Sequence, residues 1–240
     1  AMYVTQYDMN CLEDAGMLKI DFLGLKTLTV IHDAVEAVKA RLGELRHPDS
    51  GTVFESMDDV PLDDPAVYKM LATGGTAGVF QFESKLAIEK LRAMRCDCFD
   101  DLVAANGLIR PGPLDSGMAD AYIRRKTGQD EVRYDHPDLE PVLKSTYGVI
   151  VYQEQVMRIA NILAGYNLAE ADVLRKAMGK KLATLIREEL RQFVSRAVAR
   201  GVEKRTAETL AEQIETFGRY GFPRSHAAAY SIIAYHTAWL

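Results

Sequence analysis

The sequence predicts a mainly α-helical protein, built as a multi-helix domain with a few short strands near its N-terminus. Three observations support this. Apolar residues recur at helical spacing, as at positions 28, 31, 35, 38 and 42. Glycines follow these patterns, as they do at helix C-termini. Period-two alternation is confined to short segments. With 240 residues, 48% of them hydrophobic, the chain suffices for one large domain or two small ones.

The first half of the chain carries clear local signals for where its elements begin and end. The Asp64-Pro65 pair is typical of a helix N-cap followed by a first-turn proline, and Gly43 and Gly74 are typical C-terminal stops. The predicted elements are a strand at 17–22, a helix at 28–42, an acidic polar loop at 47–64, a helix from Asp64-Pro65 to Gly74, a strand at 79–82, and helices at 84–94 and 99–109.

The second half is almost entirely helical after the sequence Arg110-Pro-Gly-Pro113, whose two prolines stop the preceding helix. A short extended stretch is predicted at 148–152. The predicted helices lie at 117–126, 137–144, 153–164, 168–177, 182–200, 206–217 and 225–240, with stops at Gly165, Gly179, Gly201 and Gly218. The last helix has no cap or polar tail, which leads us to expect a piece of a longer protein.

Charge and motifs narrow the function classes. The formal net charge is −5, which argues against a simple basic nucleic-acid-binding domain. The charge is uneven, however: residues 1–101 hold 10 basic and 18 acidic residues, a net of −8, and residues 102–240 hold 19 and 16, a net of +3. Three cysteines, no signal peptide and no membrane-length apolar run predict a reducing, cytoplasmic location. The common nucleotide-loop and hydrolase motifs are absent.

Asp21 and Arg110 are the first candidate functional residues. Asp21 interrupts an apolar strand pattern, where it is either a metal-binding or catalytic carboxylate or a solvent-facing residue of a half-buried strand. Arg110 begins a rigid proline turn, and its planar guanidinium suits phosphate or carboxylate recognition. The alternative for Arg110 is a solvated side chain beside a structural turn.

A run of cations follows later in the chain. Arg175, Lys176, Lys180 and Lys181 surround a helix end, where they either offset the helix dipole or bind a polyphosphate. Between residues 171 and 205 there are ten basic and four acidic residues, a net of +6. The arginines near helical spacing, which line either a DNA-binding face or a solvated one, are Arg187, Arg191, Arg196 and Arg200.

Near the C-terminus, Ser225 is a candidate N-cap that leaves His226 at the positive end of the last helix, with Tyr230 one turn later. The intervening alanines are small enough to admit a flat ligand, and tight helix packing is the alternative. Cys96 and Cys98 have no second pair of ligands at zinc-like spacing, so they are interpreted as structural.

Six segments together resemble one family. They are LKIDFLGLKTLTVI (18–31), GVFQFES (78–84), RPGPLDSGM (110–118), TYGVIVYQEQVMRIA (146–160), LAGYNLAEADVLRKAMGKK (163–181) and YGFPRSHAAAYS (220–231). In this order they resemble the C family of bacterial replicative DNA polymerases, the α subunits of DNA polymerase III. The resemblance implies that residues 1–45 are a distal palm segment and residues 46–240 a fingers domain.

The resemblance also implies roles for single residues. Asp21 matches the third catalytic aspartate of the family and would help to hold two Mg²⁺ ions, in a site that is incomplete here because the other two aspartates lie upstream. The residues expected to bind the incoming dNTP are Arg110, Arg175, Lys180, Lys181, His226 and Tyr230. The residues expected to contact template or duplex DNA are Arg187, Arg191, Arg196 and Arg200.

The implied activity is nucleotidyl transfer by the full-length parent as a DNA-directed DNA polymerase, with this piece inactive alone. The implied partners are primer-template DNA, dNTPs and, through the parent chain, the sliding clamp, the proofreading exonuclease and the clamp loader, with no membrane. The alternative is a non-catalytic helical module that binds DNA or a protein.

Overall fold

The computed structural model describes residues 3–18, 20, 22–179, 183–218 and 220–240. Its helices are α1 (Lys26–Leu42), α2 (Pro65–Thr73), α3 (Lys85–Met94), α4 (Phe99–Leu108), α5 (Pro111–Asp115), α6 (Met118–Lys126), α7 (Glu140–Leu143), α8 (Gln153–Ala164), α9 (Leu168–Gly179), α10 (Ala183–Ala199), α11 (Lys204–Gly218) and α12 (Arg224–Trp239). Two short strands, β1 (Leu45–Arg46) and β2 (Val53–Phe54), pair antiparallel. The prediction of a mainly α-helical fold is therefore confirmed.

Helix ends follow the local signals where those signals are strong. The Asp64 side chain accepts a hydrogen bond from the Ala66 amide at 2.8 Å, and Pro65 occupies the first turn of α2. Ser84 caps α3 by accepting from the Ala87 amide at 3.2 Å. The stops after α1 and α2, Gly43 and Gly74, adopt φ of 84° and 80°, a left-handed conformation that favours glycine. The sequence-based ends of these helices are confirmed, and α1 begins two residues earlier than predicted, at Lys26.

The two strands predicted at 17–22 and 79–82 are wrong for the described residues. Residues 17, 18, 20 and 22 are not in a strand, and their side chains are exposed, because no neighbouring segment among the described residues pairs with them. Residues 79–82 form tight turns in which the Val79 amide donates to the Thr76 carbonyl and the Phe82 amide to the Val79 carbonyl, both at 3.1 Å. These local bonds use the backbone groups that a strand would offer to a partner.

The two prolines after Arg110 begin a helix as well as ending one. Pro111 and Pro113 lie in the first turn of α5, where backbone N–H groups have no partner inside the helix. Arg110 itself is the N-cap residue, with an extended backbone (φ −143°, ψ 152°). Its side chain is therefore presented at the junction between α4 and α5.

Two hydrophobic cores organise the described residues. The first gathers the helices α1 to α4, α6 and α12 and has Tyr122, Phe82 and Tyr235 among its fully buried side chains. The second gathers α7 to α11 around residues such as Phe193 and Tyr166. We call them the first and the second lobe.

The extended stretch at 149–152 joins the two lobes. Val149 and Val151 belong to the first core and Ile150 to the second, as expected when successive side chains of an extended segment point in opposite directions. Tyr152, at the end of the stretch, also belongs to the first core. Tyr152 also forms an isolated parallel bridge with Phe222. Because α1 shares the first core with residues beyond position 46, the proposed boundary between 1–45 and 46–240 does not coincide with a division between cores.

Candidate functional site

A cavity of about 220 Å³ lies in the first lobe, where α4, α12, the turns at 79–82 and the segment before α12 meet. It brings together three of the motifs that the sequence analysis singled out separately. Its walls are formed by Gln81, Phe82, Ala105, Asn106, Ile109, Arg110, Phe222, His226 and Tyr230. Of the predicted dNTP-binding residues, Arg110, His226 and Tyr230 thus share one cavity.

Arg110 lies over an aromatic ring that holds its guanidinium in place. The Arg110 Cζ atom is 4.3 Å from the centroid of the Phe222 ring, a cation–π contact. Phe222 is fixed in turn, because its carbonyl accepts a hydrogen bond from the Gln153 amide at 3.1 Å. This arrangement orients the planar donor while the Arg110 residue stays exposed to solvent.

A series of aromatic rings continues from Phe222 along α12. The Phe222 and His226 rings are 5.1 Å apart between centroids and nearly perpendicular, and the His226 and Tyr230 rings are 4.2 Å apart. His226 and Tyr230 share a helix face because they are four residues apart. Tyr230 then contacts Phe80 at 5.3 Å. One wall of the cavity is thus an aromatic surface with a cation at its end.

Close packing positions α5 against the segment that carries Phe222. A Cβ atom added at Gly112 would overlap the ring of Tyr220. The position therefore requires glycine for a reason other than its backbone conformation, because it lies inside α5. The contact sets the distance between Arg110 and Phe222, since each residue is two positions from the contact.

A polar contact and small side chains fix α4 against α12. The Asn106 amide nitrogen donates to the Ser231 hydroxyl at 2.8 Å, and that hydroxyl donates to the Ala227 carbonyl at 2.8 Å. Ala227 is fully buried in the first core, so the helix-packing alternative holds for this alanine. Ala229 is exposed. The alanine-rich turn therefore serves packing on one face and leaves another face open.

The N-terminus of α12 differs from the sequence prediction. Ser225 does not cap this helix, because α12 begins at Arg224 and Ser225 lies inside its first turn. The Glu154 carboxylate from α8 instead accepts from the Arg224 amide, at 3.0 and 2.9 Å for its two oxygens. The Arg224 guanidinium donates to Asp100 at 3.0 Å. A carboxylate of the protein thus already occupies this helix end.

The remaining predicted dNTP-binding residues are not brought to the cavity. Arg175 does not line it and instead donates to Asp172 at 2.7 Å, while Lys176 pairs with the same carboxylate at 2.9 Å. These two cations lower the pKa of Asp172. Lys180 and Lys181 lie outside the described residues, and so does Asp21, the predicted catalytic and metal-binding carboxylate.

The four arginines predicted to contact DNA have different surroundings. Arg187 and Arg191 are exposed on α10, and Arg187 is 3.7 Å from Glu215. The Arg196 guanidinium is engaged within the protein, since it donates to the carbonyls of residues 164 and 165 and to Glu170, all at 2.9–3.3 Å. It also lies 4.2 Å from the Tyr166 ring. Arg196 therefore closes the C-terminal end of α8 against α10. Arg200 is exposed, and its guanidinium lies against Gly165.

One cluster has the composition of a metal site, but a lysine ammonium already pairs with both of its carboxylates. Asp97, Cys98 and Asp101 present oxygen and sulfur atoms within 4.8 Å of one another. The Lys126 ammonium lies 3.0 Å from Asp97 and 2.8 Å from Asp101, and the Tyr122 hydroxyl donates to Asp101 at 3.1 Å. Burial raises the pKa of Asp101 and raises that of the Cys98 thiol to about 11, which disfavours a thiolate. The cluster is a structural ion pair.

Sequence reasoning missed three residues that build the cavity. Phe222 supports Arg110, Asn106 ties α4 to α12, and Gln81 lines the wall in a turn that was interpreted as strand. Phe222 and Gln81 had a usable signal, because they lie inside the segments YGFPRSHAAAYS and GVFQFES that were already singled out. Asn106 had none, because it lies within an apolar helix pattern.

What the arrangement can do chemically follows from its parts. A fixed guanidinium binds an anionic group such as a phosphate through directed hydrogen bonds. Aromatic rings on the adjoining wall accept a flat, apolar ring by stacking. The cavity thus combines the two surfaces needed for a molecule that carries a phosphate and a heterocyclic base.

No helix in the described part of the chain is long and apolar enough to cross a bilayer.

Comparisons with known proteins agree on one family. Residues 27–201 match the family model of the bacterial DNA polymerase III alpha subunit finger domain. The chain is similar to the DNA polymerase III alpha subunits of Aquifex aeolicus (50% identity, 98% of this chain and 20% of the relative), Chlamydia trachomatis (46%, 100% and 18%) and Pseudomonas aeruginosa (44%, 99% and 20%). The chain therefore spans about a fifth of the length of these relatives.

Proposed function

The chain belongs to the family of bacterial DNA polymerase III α-subunit finger domains, and we propose that its cavity receives the incoming dNTP of a DNA-directed DNA polymerase. One observation carries the proposal: Arg110 is held over Phe222 beside His226 and Tyr230 in a single cavity. The guanidinium binds the triphosphate, and the rings of α12 lie against the nascent base pair. The reaction of the full-length protein is the transfer of a deoxynucleotide to a primer 3′-hydroxyl with release of pyrophosphate.

The metal requirement is part of the same proposal. The chemistry of the parent reaction uses two Mg²⁺ ions, which lower the barrier by stabilising charge on the attacking and leaving oxygens. Asp21 is the residue of this chain proposed to hold them, on the strength of the KIDFLGL motif (19–25). Its carboxylate is the hard oxygen ligand that Mg²⁺ prefers. The other ligands belong to the parent chain outside this sequence.

The partners follow from the same activity. We propose that primer-template DNA contacts the exposed arginines of α10 and the residue just beyond it, namely Arg187, Arg191 and Arg200. Arg196 remains a weaker candidate because its guanidinium already has protein partners. The sliding clamp, the proofreading exonuclease and the clamp loader are proposed to reach this domain through the rest of the polymerase. The proposed location is the bacterial cytoplasm at the nucleoid, where the template lies.

The test is Arg110→Ala in the full-length polymerase, assayed by primer extension. Loss of a charge-assisted hydrogen bond to phosphate costs about 1.5–3 kcal/mol, so the KM for dNTP should rise about 10- to 100-fold. Arg110→Lys should recover part of this, because it keeps the charge but not the planar fork.

The matched control is Arg133→Ala, since Arg133 is an exposed arginine that pairs with Glu131 and does not line the cavity. This control should leave the KM for dNTP unchanged. An Arg110→Ala polymerase with an unchanged KM would remove the cavity from the nucleotide site. If that variant also kept its affinity for primer-template DNA, the helical DNA-binding module would become the better description.

A further inference from the structure

Gln81 stands out in the cavity wall because its backbone has a conformation uncommon for a residue with a side chain. Its φ is 69°, in the left-handed region that glycine adopts readily. The residue is exposed and lines the same cavity as Arg110, His226 and Tyr230. Backbone conformations of this kind cluster at functional sites, where the surrounding structure holds them in place.

The turns around Gln81 are held from both sides. The Thr76 hydroxyl donates to the Phe82 carbonyl at 2.7 Å, and the Phe82 side chain is almost completely buried. On the other side, the Phe80 amide donates to the Thr237 hydroxyl of α12 at 3.0 Å, and the Phe80 ring contacts Tyr230. Since both neighbours are fixed, the backbone of Gln81 cannot relax without breaking these contacts.

The Gln81 side chain therefore projects from a fixed backbone and is exposed. Among the hydrogen bonds of the described residues, none involves its amide. The amide is neutral, offers two donors and one acceptor oxygen, and faces a cavity that already contains a cation in Arg110. Gln81 thus keeps a strained backbone conformation and an amide that makes no hydrogen bond among the described residues. This combination indicates that the amide contacts a ligand.

The proposed function restricts what that contact can be. A cavity that accepts four different nucleotides cannot rely on a base-specific hydrogen bond. The minor-groove edge of every Watson–Crick pair carries an acceptor, N3 of a purine or O2 of a pyrimidine, whereas the major-groove edge differs between pairs. A single donor can therefore serve all four nucleotides only at the minor-groove edge of the base, or at the sugar that they share.

We propose that the Gln81 amide donates a hydrogen bond to the minor-groove acceptor of the incoming nucleotide and so checks that the nascent pair has Watson–Crick shape. The inference rests on the proposed function of the cavity. A mismatched pair displaces N3 or O2 from its usual place, so the amide on the held backbone of Gln81 loses its partner. Gln81 is thus a specificity-determining residue, in contrast to Arg110, which binds the phosphates common to matched and mismatched nucleotides.

The test compares dGTP with 3-deaza-dGTP, in which a C–H group replaces N3, opposite a template dC in the full-length polymerase. One neutral hydrogen bond changes a binding constant about 5-fold. The unsubstituted enzyme should therefore have a kcat/KM about 5-fold higher for dGTP than for 3-deaza-dGTP. Gln81→Gly should lower kcat/KM for dGTP by a similar factor and use both nucleotides equally. It should also raise the frequency of misinsertion.

The variants separate this contact from a folding defect. Gln81→Gly suits the positive φ and should not destabilise the protein. Gln81→Asn keeps an amide on a residue type that tolerates this conformation, and it should retain part of the preference for dGTP. A preference for dGTP over the 3-deaza analogue that is equal in the unsubstituted enzyme and in Gln81→Gly would overturn the proposal.

A sugar contact has its own signature. If Gln81→Gly instead changed the ratio between dGTP and dideoxy-GTP, the amide would bind the 3′-hydroxyl, and the minor-groove proposal would be overturned. Failure of the proposed function itself looks different, because Arg110→Ala would then leave the KM for dNTP unchanged. The two results are independent, since one is a ratio between two nucleotides and the other is an absolute KM.

Discussion

Among single residues, Lys126 and Asp101 form a buried ion pair in the first lobe. The exposed fractions of their side chains are 7% and 2%, and their charged atoms are 2.8 Å apart. Asp101 also accepts from Tyr122, a fully buried residue of the core. A carboxylate removed from water in this way needs all of its partners, because an uncompensated buried charge is strongly destabilising.

We therefore expect Lys126→Met to lower the free energy of unfolding by about 3–5 kcal/mol, the usual cost of removing one partner of a buried pair. Urea denaturation of the 240-residue chain followed by circular dichroism measures this. Lys144→Met is the matched control, because Lys144 is 75% exposed and its ion pair within the described residues is with Glu140; its effect should stay within about 0.5 kcal/mol. Adding Asp101→Asn to Lys126→Met should restore stability, because the unpaired carboxylate is then removed. If Lys126→Met alone lowered the free energy of unfolding by less than about 1 kcal/mol, Asp101 would be neutral in the fold.

At the scale of elements, the helix α5 and the segment before α12 form a tightly packed pair that places Arg110. The side of Gly112 that faces Tyr220 has no room for a methyl group. Phe222 lies two residues after Tyr220, and its carbonyl accepts a hydrogen bond from the Gln153 amide at the start of α8. The geometry of the candidate nucleotide site thus depends on an interelement contact in which neither residue touches the cavity.

Gly112→Ala should therefore destabilise the chain by about 1–3 kcal/mol through overpacking. Because the three atoms nearest to the added methyl group all belong to the Tyr220 ring, truncation of that ring should relieve the clash. In a double-mutant cycle with Tyr220→Ala, measured by urea denaturation, the two substitutions should show a favourable coupling of about 0.5–3 kcal/mol. Additive effects would contradict the close approach of these two elements.

Elements with complete local signals were predictable from the sequence. The helix α2 carries its own cap, first-turn proline and terminal glycine, so its bounds follow from the sequence between Asp64 and Gly74 alone. The turns at 79–82 were not predictable, because the short apolar segment around Gln81 resembles a strand and its Phe80 amide is held by Thr237, more than 150 residues away. The wrong prediction of a Ser225 cap also arises from a distant contact. The Arg224 amide at the start of α12 donates to Glu154, which lies 70 residues earlier in the chain.

The candidate site was predictable only in its parts. Arg110 was recognised by its proline turn, and His226 and Tyr230 by their place at the start of a helix. That these residues meet depends on Phe222 and on the packing of α4 against α12, which no spacing in the sequence encodes. Sequence patterns specify how a residue is presented within its own element, and tertiary contacts determine which presented residues share a cavity.

At the scale of the whole molecule, the net charge of −5 conceals a division between the ends of the chain. The acidic residues are concentrated in positions 1–101, whereas the segment that contains α10 is basic. Binding to a polyanion depends on the local density of exposed cations, because each phosphate contact releases condensed counterions. The exposure of an arginine therefore decides whether it can contribute to DNA binding. On α10, Arg187 and Arg191 are exposed, whereas the Arg196 guanidinium is bonded within the protein.

This leads to a prediction about salt dependence. For duplex DNA, the slope of log Kobs against log salt concentration is about −0.9 per phosphate contact, so Arg187→Ala with Arg191→Ala should make it shallower by about 1.8. The slope is measured by fluorescence anisotropy of the full-length polymerase on labelled primer-template DNA, at salt concentrations from about 50 to about 300 mM. The matched control is Arg41→Ala with Arg46→Ala, two exposed arginines from the acidic part of the chain. If both double variants kept the slope of the unsubstituted protein, the basic face of α10 would be a solvated surface, and DNA would be held by other parts of the polymerase.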